Sequence, residues 1–315
     1  RLKKADYRVY GPAIPLTSHR VHLPDGRRLA YVDYGEPTGQ PVLLFPGTPG
    51  SRLQGHPDRS IPATIGVRLI GVDRPGYGLS DNQRHRTLLD WPADVEVLAD
   101  HLGLERFAVL GISGGGPYAA ACAWKIPQRL TTVSLVSPMG PVDETKAVAD
   151  MPWLNRLLLT LAKWGDWPVS LLAAALVTLA RQRPDWYLAL LNAHLPSVDR
   201  DIYIRPPIQT ALKEDLAEAL RLGSHGAVRD IVLLANPWPF SLQEIQVPVQ
   251  LWHGEQDATV PVQIGRAIAT ALPNCQARFV PDAGHLLVID RWRQILADLC
   301  QAIDSAHSFK SAENP

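Results

Sequence analysis

Five residues, Gly111-Ile112-Ser113-Gly114-Gly115, constrain this chain more than any other stretch. The apolar run Phe107-Ala108-Val109-Leu110 precedes them and reads as a short buried strand. Residues 116–124, rich in alanine, follow with the composition of a helix. In the order strand, G-x-S-x-G, helix, the serine sits on a sharp, strained turn that lifts its hydroxyl above a sheet. Glycines flank it where a Cβ would collide with the neighbouring strand and helix. The turn leaves the Gly114 N–H at a helix N-terminus, where it can face negative charge. A phosphate-cradling loop is the competing reading, but neither G-x-G-x-x-G nor G-x-x-x-x-G-K-[ST] occurs here. The looser dinucleotide pattern at Gly114, Gly116 and Ala119 begins beyond the turn. The stretch reads as the seat of a nucleophile.

Strands and helices alternate around it. Residues 17–34 read as a hairpin turning at Pro24-Asp25-Gly26. Pro41 to Phe45 is a continuous apolar run, the pattern of a strand buried on both faces, and Val67 to Val72 and Thr131 to Val136 read as further strands. A helix with Asp90 as N-cap and Pro92 in its first turn carries Trp91, Val95, Leu98 and Leu102 on one face, and Gly103 closes it. Past residue 138 the alternation breaks. Residues 139–222 show helical stripes (Leu154, Leu157, Leu158, Leu161; Leu212, Leu216, Ala219, Leu220) and no clear strand, which predicts about four helices at typical lengths. Alternation resumes with a strand over 247–252, a helix over 262–272 and a strand over 276–280. A final helix bears Ile289, Trp292, Leu296 and Leu299. The expected fold is therefore α/β, a doubly wound, mostly parallel sheet with an inserted helical cap. Its core would comprise 1–138 and 223–315, with the cap at 139–222 and a polar, frayed tail over 306–315.

A serine hydroxyl becomes a nucleophile only when a base takes its proton, and that base must be held in one tautomer. A carboxylate and a histidine are therefore expected at the ends of later strands, in the order Ser, Asp, His. Asp257, in His253-Gly254-Glu255-Gln256-Asp257, and His285, in Ala283-Gly284-His285, occupy those places. Glu255 and Asp282 compete for the acid's role, Asp282 being better suited to capping the last turn, and Asp143 is a second-rank position. The oxyanion needs two N–H donors. Gly114 supplies one, and Thr48, named for its backbone group, supplies the other from the loop Pro46-Gly47-Thr48-Pro49-Gly50-Ser51.

Those motifs, with Asp73-Arg74-Pro75-Gly76-Tyr77-Gly78 between them, make the chain resemble an α/β-hydrolase-fold protein with a helical cap over residues 17–303. The resemblance implies a Ser113–His285–Asp257 triad, an oxyanion hole from Thr48 and Gly114, and neither cofactor nor metal. It gives the Asp73–Gly78 loop a scaffolding role only. Two departures stand out: Pro46-Gly47 replaces the family's usual His-Gly, which predicts altered packing of that loop, and position 113 is serine where cap-bearing dehalogenases and epoxide hydrolases carry aspartate. An alkyl-enzyme ester route is thereby disfavoured.

Lys+Arg and Asp+Glu both number 31, so no net field favours nucleic acid or an anionic membrane. Cys122, Cys275 and Cys300 form neither a disulfide framework nor a metal-type spacing. Residues 169–180, the longest apolar stretch, cannot span a bilayer. No signal peptide is visible in Arg1-Leu2-Lys3-Lys4, although the missing methionine points to a trimmed start. The expected protein is a cytoplasmic serine esterase acting on a small or medium ester, thioester or lactone with an apolar acyl or alcohol part. Trp153, Trp164, Trp167, Trp186 and Trp238, with the leucine stripes, would roof its pocket. His194 and His225 are read as solvated or structural. A C–C bond hydrolase, an aminopeptidase or a lyase could use the same triad, as could a receptor that retains it. An aminopeptidase would need carboxylates for the substrate's ammonium, and the adjacent pairs Asp143-Glu144 and Glu214-Asp215 read as solvated faces.

Overall fold

Successive residues of a strand face opposite sides of its sheet, so an apolar run without alternation must be covered on both faces. In a computed structural model, which describes residues 16–141 and 146–301, the runs read above satisfy that condition. The strands are β1 (Ser18–His22), β2 (Arg28–Gly35), β3 (Gln40–Phe45), β4 (Val67–Val72), β5 (Phe107–Ile112), β6 (Leu130–Val136), β7 (Val249–Gly254) and β8 (Cys275–Val280). They form one eight-stranded sheet in the order β1-β2-β4-β3-β5-β6-β7-β8. The β1–β2 and β2–β4 pairs are antiparallel and every other pair is parallel. Leu43 and Phe45 enter one core beneath α1 (Trp91–His101) and α2 (Gly116–Lys125). Val42 and Leu44 enter the other, with Trp292, Ile295 and Leu296.

Helix starts and stops depart from expectation at two places. Asp90 does not cap α1: its carboxylate accepts from Thr87 N (2.6 Å) and Thr87 Oγ1 (2.8 Å), closing the single 3₁₀ turn Leu88–Asp90. The final helix is broken at Arg291 into α10 (Leu287–Asp290) and the helical residues 292–301; α9 (Val262–Ala271) precedes them.

Among the described residues, 139–222 carry five α-helices where about four were expected: α3 (Trp153–Ala162), α4 (Asp166–Gln182), α5 (Pro184–Asn192), α6 (Ser197–Tyr203) and α7 (Pro206–Ala219). A further helix, α8 (His225–Ala235), packs on α3 and α4, so the helical layer continues past residue 222. Among the described residues no helix is long and apolar enough to cross a membrane. Asp143, Glu144, the start Arg1-Leu2-Lys3-Lys4 and the tail 306–315 lie outside the described residues. The carboxyl ends of β3, β5, β7 and β8 open toward the helical layer, where sheets of this kind bind ligands.

Candidate active site

Ser113 follows β5 directly and opens the 3₁₀ turn Ser113–Gly115 that leads into α2, with φ at +51°. A non-glycine residue holds that conformation only where its surroundings enforce it. The packing does so: a Cβ added at Gly115 would lie 2.1 Å from the Phe45 carbonyl oxygen. The hydroxyl is half-buried and makes no hydrogen bond within the described residues, including none to His285, although both side chains line one cavity. Nucleophile–base contacts often tighten only when substrate arrives.

The residues expected as acid and base, Asp257 and His285, are directly paired. Asp257, in the loop after β7, accepts from His285 Nδ1 at 2.7 Å through Oδ2, and through Oδ1 from Thr259 N (2.9 Å) and Val260 N (2.8 Å). With Nδ1–H donated to the carboxylate, His285 Nε2 is left as the acceptor. Burial alone would raise the Asp257 pKa, but His285 and the buried His253, 3.4 Å away, outweigh it and hold the carboxyl well below the usual range. Burial pulls the His285 pKa down, while Asp257 and then Asp199 push it up, and the net direction is up. Of the competing acids, Glu255 pairs instead with Arg266 at 2.5 Å. Asp282 is exposed and does not cap α10.

Thr48 and Gly114 face each other: a Cβ on Gly114 would stand 3.2 Å from Thr48 N. Neither N–H is consumed by a hydrogen bond within the described residues. The Thr48 hydroxyl is committed elsewhere, donating to Asp230 Oδ2 (2.9 Å) and accepting from Arg74 Nη2 (3.0 Å). Arg74 also donates to the carbonyls of Pro46 and Gly47. The loop that departs from His-Gly is therefore held through its carbonyls by a fully buried guanidinium. This gives the Asp73–Gly78 loop a more direct part in shaping the site than sequence suggested.

Sequence reasoning missed the group that anchors this arrangement. Asp230 on α8 is fully buried and accepts from Arg74, Arg86 Nη2 (2.6 Å), Tyr77 OH (3.0 Å), Tyr118 OH (2.5 Å) and Thr48 Oγ1. Burial pushes its pKa up, and the two guanidinium groups outweigh that and hold it well below the carboxylate range.

Ser113, Thr48, Gly114 and His285 line a cavity of about 360 Å³. Leucines from the helical layer, among them Leu154, Leu158, Leu188, Leu212 and Leu216, supply much of its wall. The tryptophan expectation needs correcting. Only Trp153 of the five lines the cavity; Trp164, Trp167 and Trp186 are 78%, 70% and 72% exposed, and Trp238 packs against Phe240. His194 is exposed at the cavity wall and His225 is exposed on α8. Asp215 is not on a solvated face: it is buried and lines the cavity. It accepts from Ser51 N (2.8 Å), Ser51 Oγ (2.6 Å) and Gln54 Nε2 (3.3 Å), and forms no ion pair among the described residues. Burial raises its pKa to about 6 against those hydrogen bonds.

A family model described as alpha/beta hydrolase fold matches residues 40–291. A 2-hydroxy-6-oxononadienedioate/2-hydroxy-6-oxononatrienedioate hydrolase of Cupriavidus pinatubonensis is 28% identical, covering 85% of this chain and 89% of its own. A proline iminopeptidase of Neisseria meningitidis is 27% identical, covering 86% of this chain and 91% of its own. Among solved structures, an esterase from Exiguobacterium antarcticum superposes with a TM-score of 0.64 at 19% identity, over 90% of this chain and 98% of that one.

Proposed function

The chain belongs to the α/β-hydrolase fold family, and within it we propose a serine esterase that cleaves small or medium apolar esters, thioesters or lactones. One observation carries the reading: Ser113, strained at φ +51°, opens into the same apolar cavity as the Asp257-paired His285 and the unspent N–H groups of Thr48 and Gly114. In the proposed cycle Ser113 Oγ attacks the substrate carbonyl and its proton passes to His285 Nε2. Thr48 N–H and Gly114 N–H hold the oxyanion, and His285 returns the proton to the departing alkoxide or thiolate. Water, deprotonated by His285, then attacks the acyl carbon, and His285 returns that proton to Ser113 Oγ as the Ser113–acyl bond breaks and the acid leaves. Asp257 stays ionised throughout, orienting the imidazole and stabilising its cation. A cavity of about 360 Å³ at the lower end of the range for ligand sites suits short and medium acyl chains. Three cysteines whose spacing suggests no disulfide framework support a cytoplasmic, reducing setting.

The test is steady-state hydrolysis of p-nitrophenyl acetate, butyrate and octanoate by the wild type and Ser113→Ala, beside labelling with a fluorophosphonate. Turnover abolished by Ser113→Ala, with a single adduct on Ser113, is the expected result. Absence of both label and turnover would overturn the assignment.

A second reading has one observation in its favour. Asp215 places a buried carboxylate, without a cationic partner among the described residues, in the cavity wall, where it could hold a substrate ammonium, and a relative is a proline iminopeptidase. Release of p-nitroaniline from prolyl or alanyl p-nitroanilide faster than p-nitrophenol from the esters, lost in Asp215→Asn, would favour it.

A further inference from the structure

The loop carrying His285 is not held by the sheet alone. Asp199, fully buried on α6, accepts from His285 N (2.8 Å) through Oδ2 and from Leu286 N (2.8 Å) through Oδ1. Both carboxylate oxygens are thus spent on consecutive backbone N–H groups of the residue that bears the base and the residue after it. The fit leaves no room between: a Cβ added at Gly284 would lie 2.2 Å from Asp199 Oδ2. One turn further, Arg205 reaches Asp290 on α10, its Nη2 donating at 3.0 Å to Oδ2.

We infer that Asp199 is a positioning residue for the base, a carboxylate delivered by the helical layer that fixes the backbone of His285 and so the aim of its imidazole. The inference rests on the proposed triad. Geometry makes the effect specific. Asp257 fixes one ring nitrogen but leaves the backbone free to translate, and two N–H bonds to a buried carboxylate remove that freedom. A displacement of about 1 Å at a catalytic group can lower the rate about 10²-fold. The same carboxylate is one of the charges facing His285. The others are Asp257 and, through it, His253 from the β7 side, with the Arg205–Asp290 pair at the far end of α10. Loss of the Asp199 charge therefore lowers the His285 pKa.

The experiment compares wild type, Asp199→Asn and Gly284→Ala on p-nitrophenyl butyrate, with fluorophosphonate labelling of each across pH 5 to 9. Asn keeps the shape but removes the charge and one acceptor. For Asp199→Asn the expected result is kcat lower by about 10- to 100-fold with KM within about twofold, and the acid limb of kcat/KM displaced to lower pH. Gly284→Ala keeps the carboxylate and pushes the loop from it, so the loss in kcat should appear with the acid limb less displaced. A thermal melt of each variant identifies misfolding, and if Asp199→Asn does not fold, the kcat-against-KM split of Gly284→Ala decides. Wild-type kcat and acid limb in folded Asp199→Asn, or unchanged kcat in folded Gly284→Ala where only that variant folds, overturns the positioning role. A wild type that neither labels nor turns over fails the serine-esterase reading instead, so the two failures are distinguishable.

Discussion

Replacing Asp230 by asparagine should damage this protein twice, through stability and through the oxyanion loop. The carboxylate Oδ2 accepts from Thr48, from two nitrogens of Arg74 and from Tyr77, while Oδ1 accepts from Arg86 and Tyr118. An amide supplies one acceptor oxygen and turns the other position into a donor, which then faces a guanidinium or a hydroxyl. Arg74 and Arg86 are 1% and 2% exposed, so neither cation can recover its loss in water. Removing one partner of a buried ion pair typically costs about 3–5 kcal/mol. Against the usual total of about 5–15 kcal/mol, that is a large share of the whole. Arg74, no longer neutralised, also ceases to fix the Pro46 and Gly47 carbonyls, and Thr48 N–H loses its aim. Loss of one oxyanion donor lowers kcat about 10²- to 10³-fold. Urea unfolding followed by tryptophan fluorescence should show the destabilisation, and kcat on p-nitrophenyl butyrate under native conditions the second effect. If Asp230→Asn does not accumulate as folded protein, Thr48→Val, which removes only the hydroxyl, should lower kcat with a loss of about 1–3 kcal/mol. A loss of stability below about 1 kcal/mol in Asp230→Asn would refute the argument that this carboxylate is what makes two buried cations tolerable.

Gly115→Ala forces a Cβ to within 2.1 Å of the Phe45 carbonyl oxygen, backbone that cannot yield without moving β3, so labelling of Ser113 by fluorophosphonate should be lost together with several degrees of melting temperature. Asp215 has the opposite sign to the usual acid. Its folded-state pKa, about 6, lies above the unfolded value, so its contribution falls as pH rises from about 4 to about 6 and stays low above that. Asp215→Asn should therefore gain on the wild type by about 2 kcal/mol between pH 4.5 and 7.5, read by urea titrations at those two pH values; a constant difference would mean the carboxyl is not so perturbed. Trp167→Ser, at a side chain 70% exposed, should change stability by less than about 0.5 kcal/mol and leave hydrolysis intact.

The strands were legible because a run such as Val42-Leu43-Leu44-Phe45 has only one comfortable place, the middle of a sheet covered on both sides. The placement of Ser113 and His285 on one cavity, with Asp257 paired to His285, was legible because strand ends locate all three. The tryptophans misled because composition says that a side chain is large and apolar, not which way its helix turns. Trp164 and Trp167 bracket the turn between α3 and α4 and point outward. The polar partners were harder still. Thr48 meets Asp230 across 182 positions and His285 meets Asp199 across 86, and no local pattern spans such distances.

A weaker signal was nevertheless present. Residues three or four apart share a helix face. Asp215 lies three after Leu212 and four before Ala219, Asp230 three after Ala227 and four before Leu234, and Asp199 three before Ile202. Each acid therefore sits on the apolar stripe of its helix, where an ionised carboxylate is tolerable only if donors come to meet it. Asp94 obeys the same rule on α1, three after Trp91 and four before Leu98, and is met by Arg27 from the hairpin turn at 2.7 Å. An acid on the stripe thus announces a buried partner, not a site. The partner decides the meaning. For Asp94 it is a surface-derived arginine, and the bond ties a hairpin to a helix. For Asp199 and Asp215 the donors belong to the loops after β8 and β3, the loops that present His285 and Thr48. Asp230 reaches the second of these through Thr48, while Arg74, Tyr77 and Arg86 after β4 and Tyr118 on α2 supply its other donors. The sheet supplies the positions of the groups proposed to react, and the helices packed above it supply carboxylates that hold those loops.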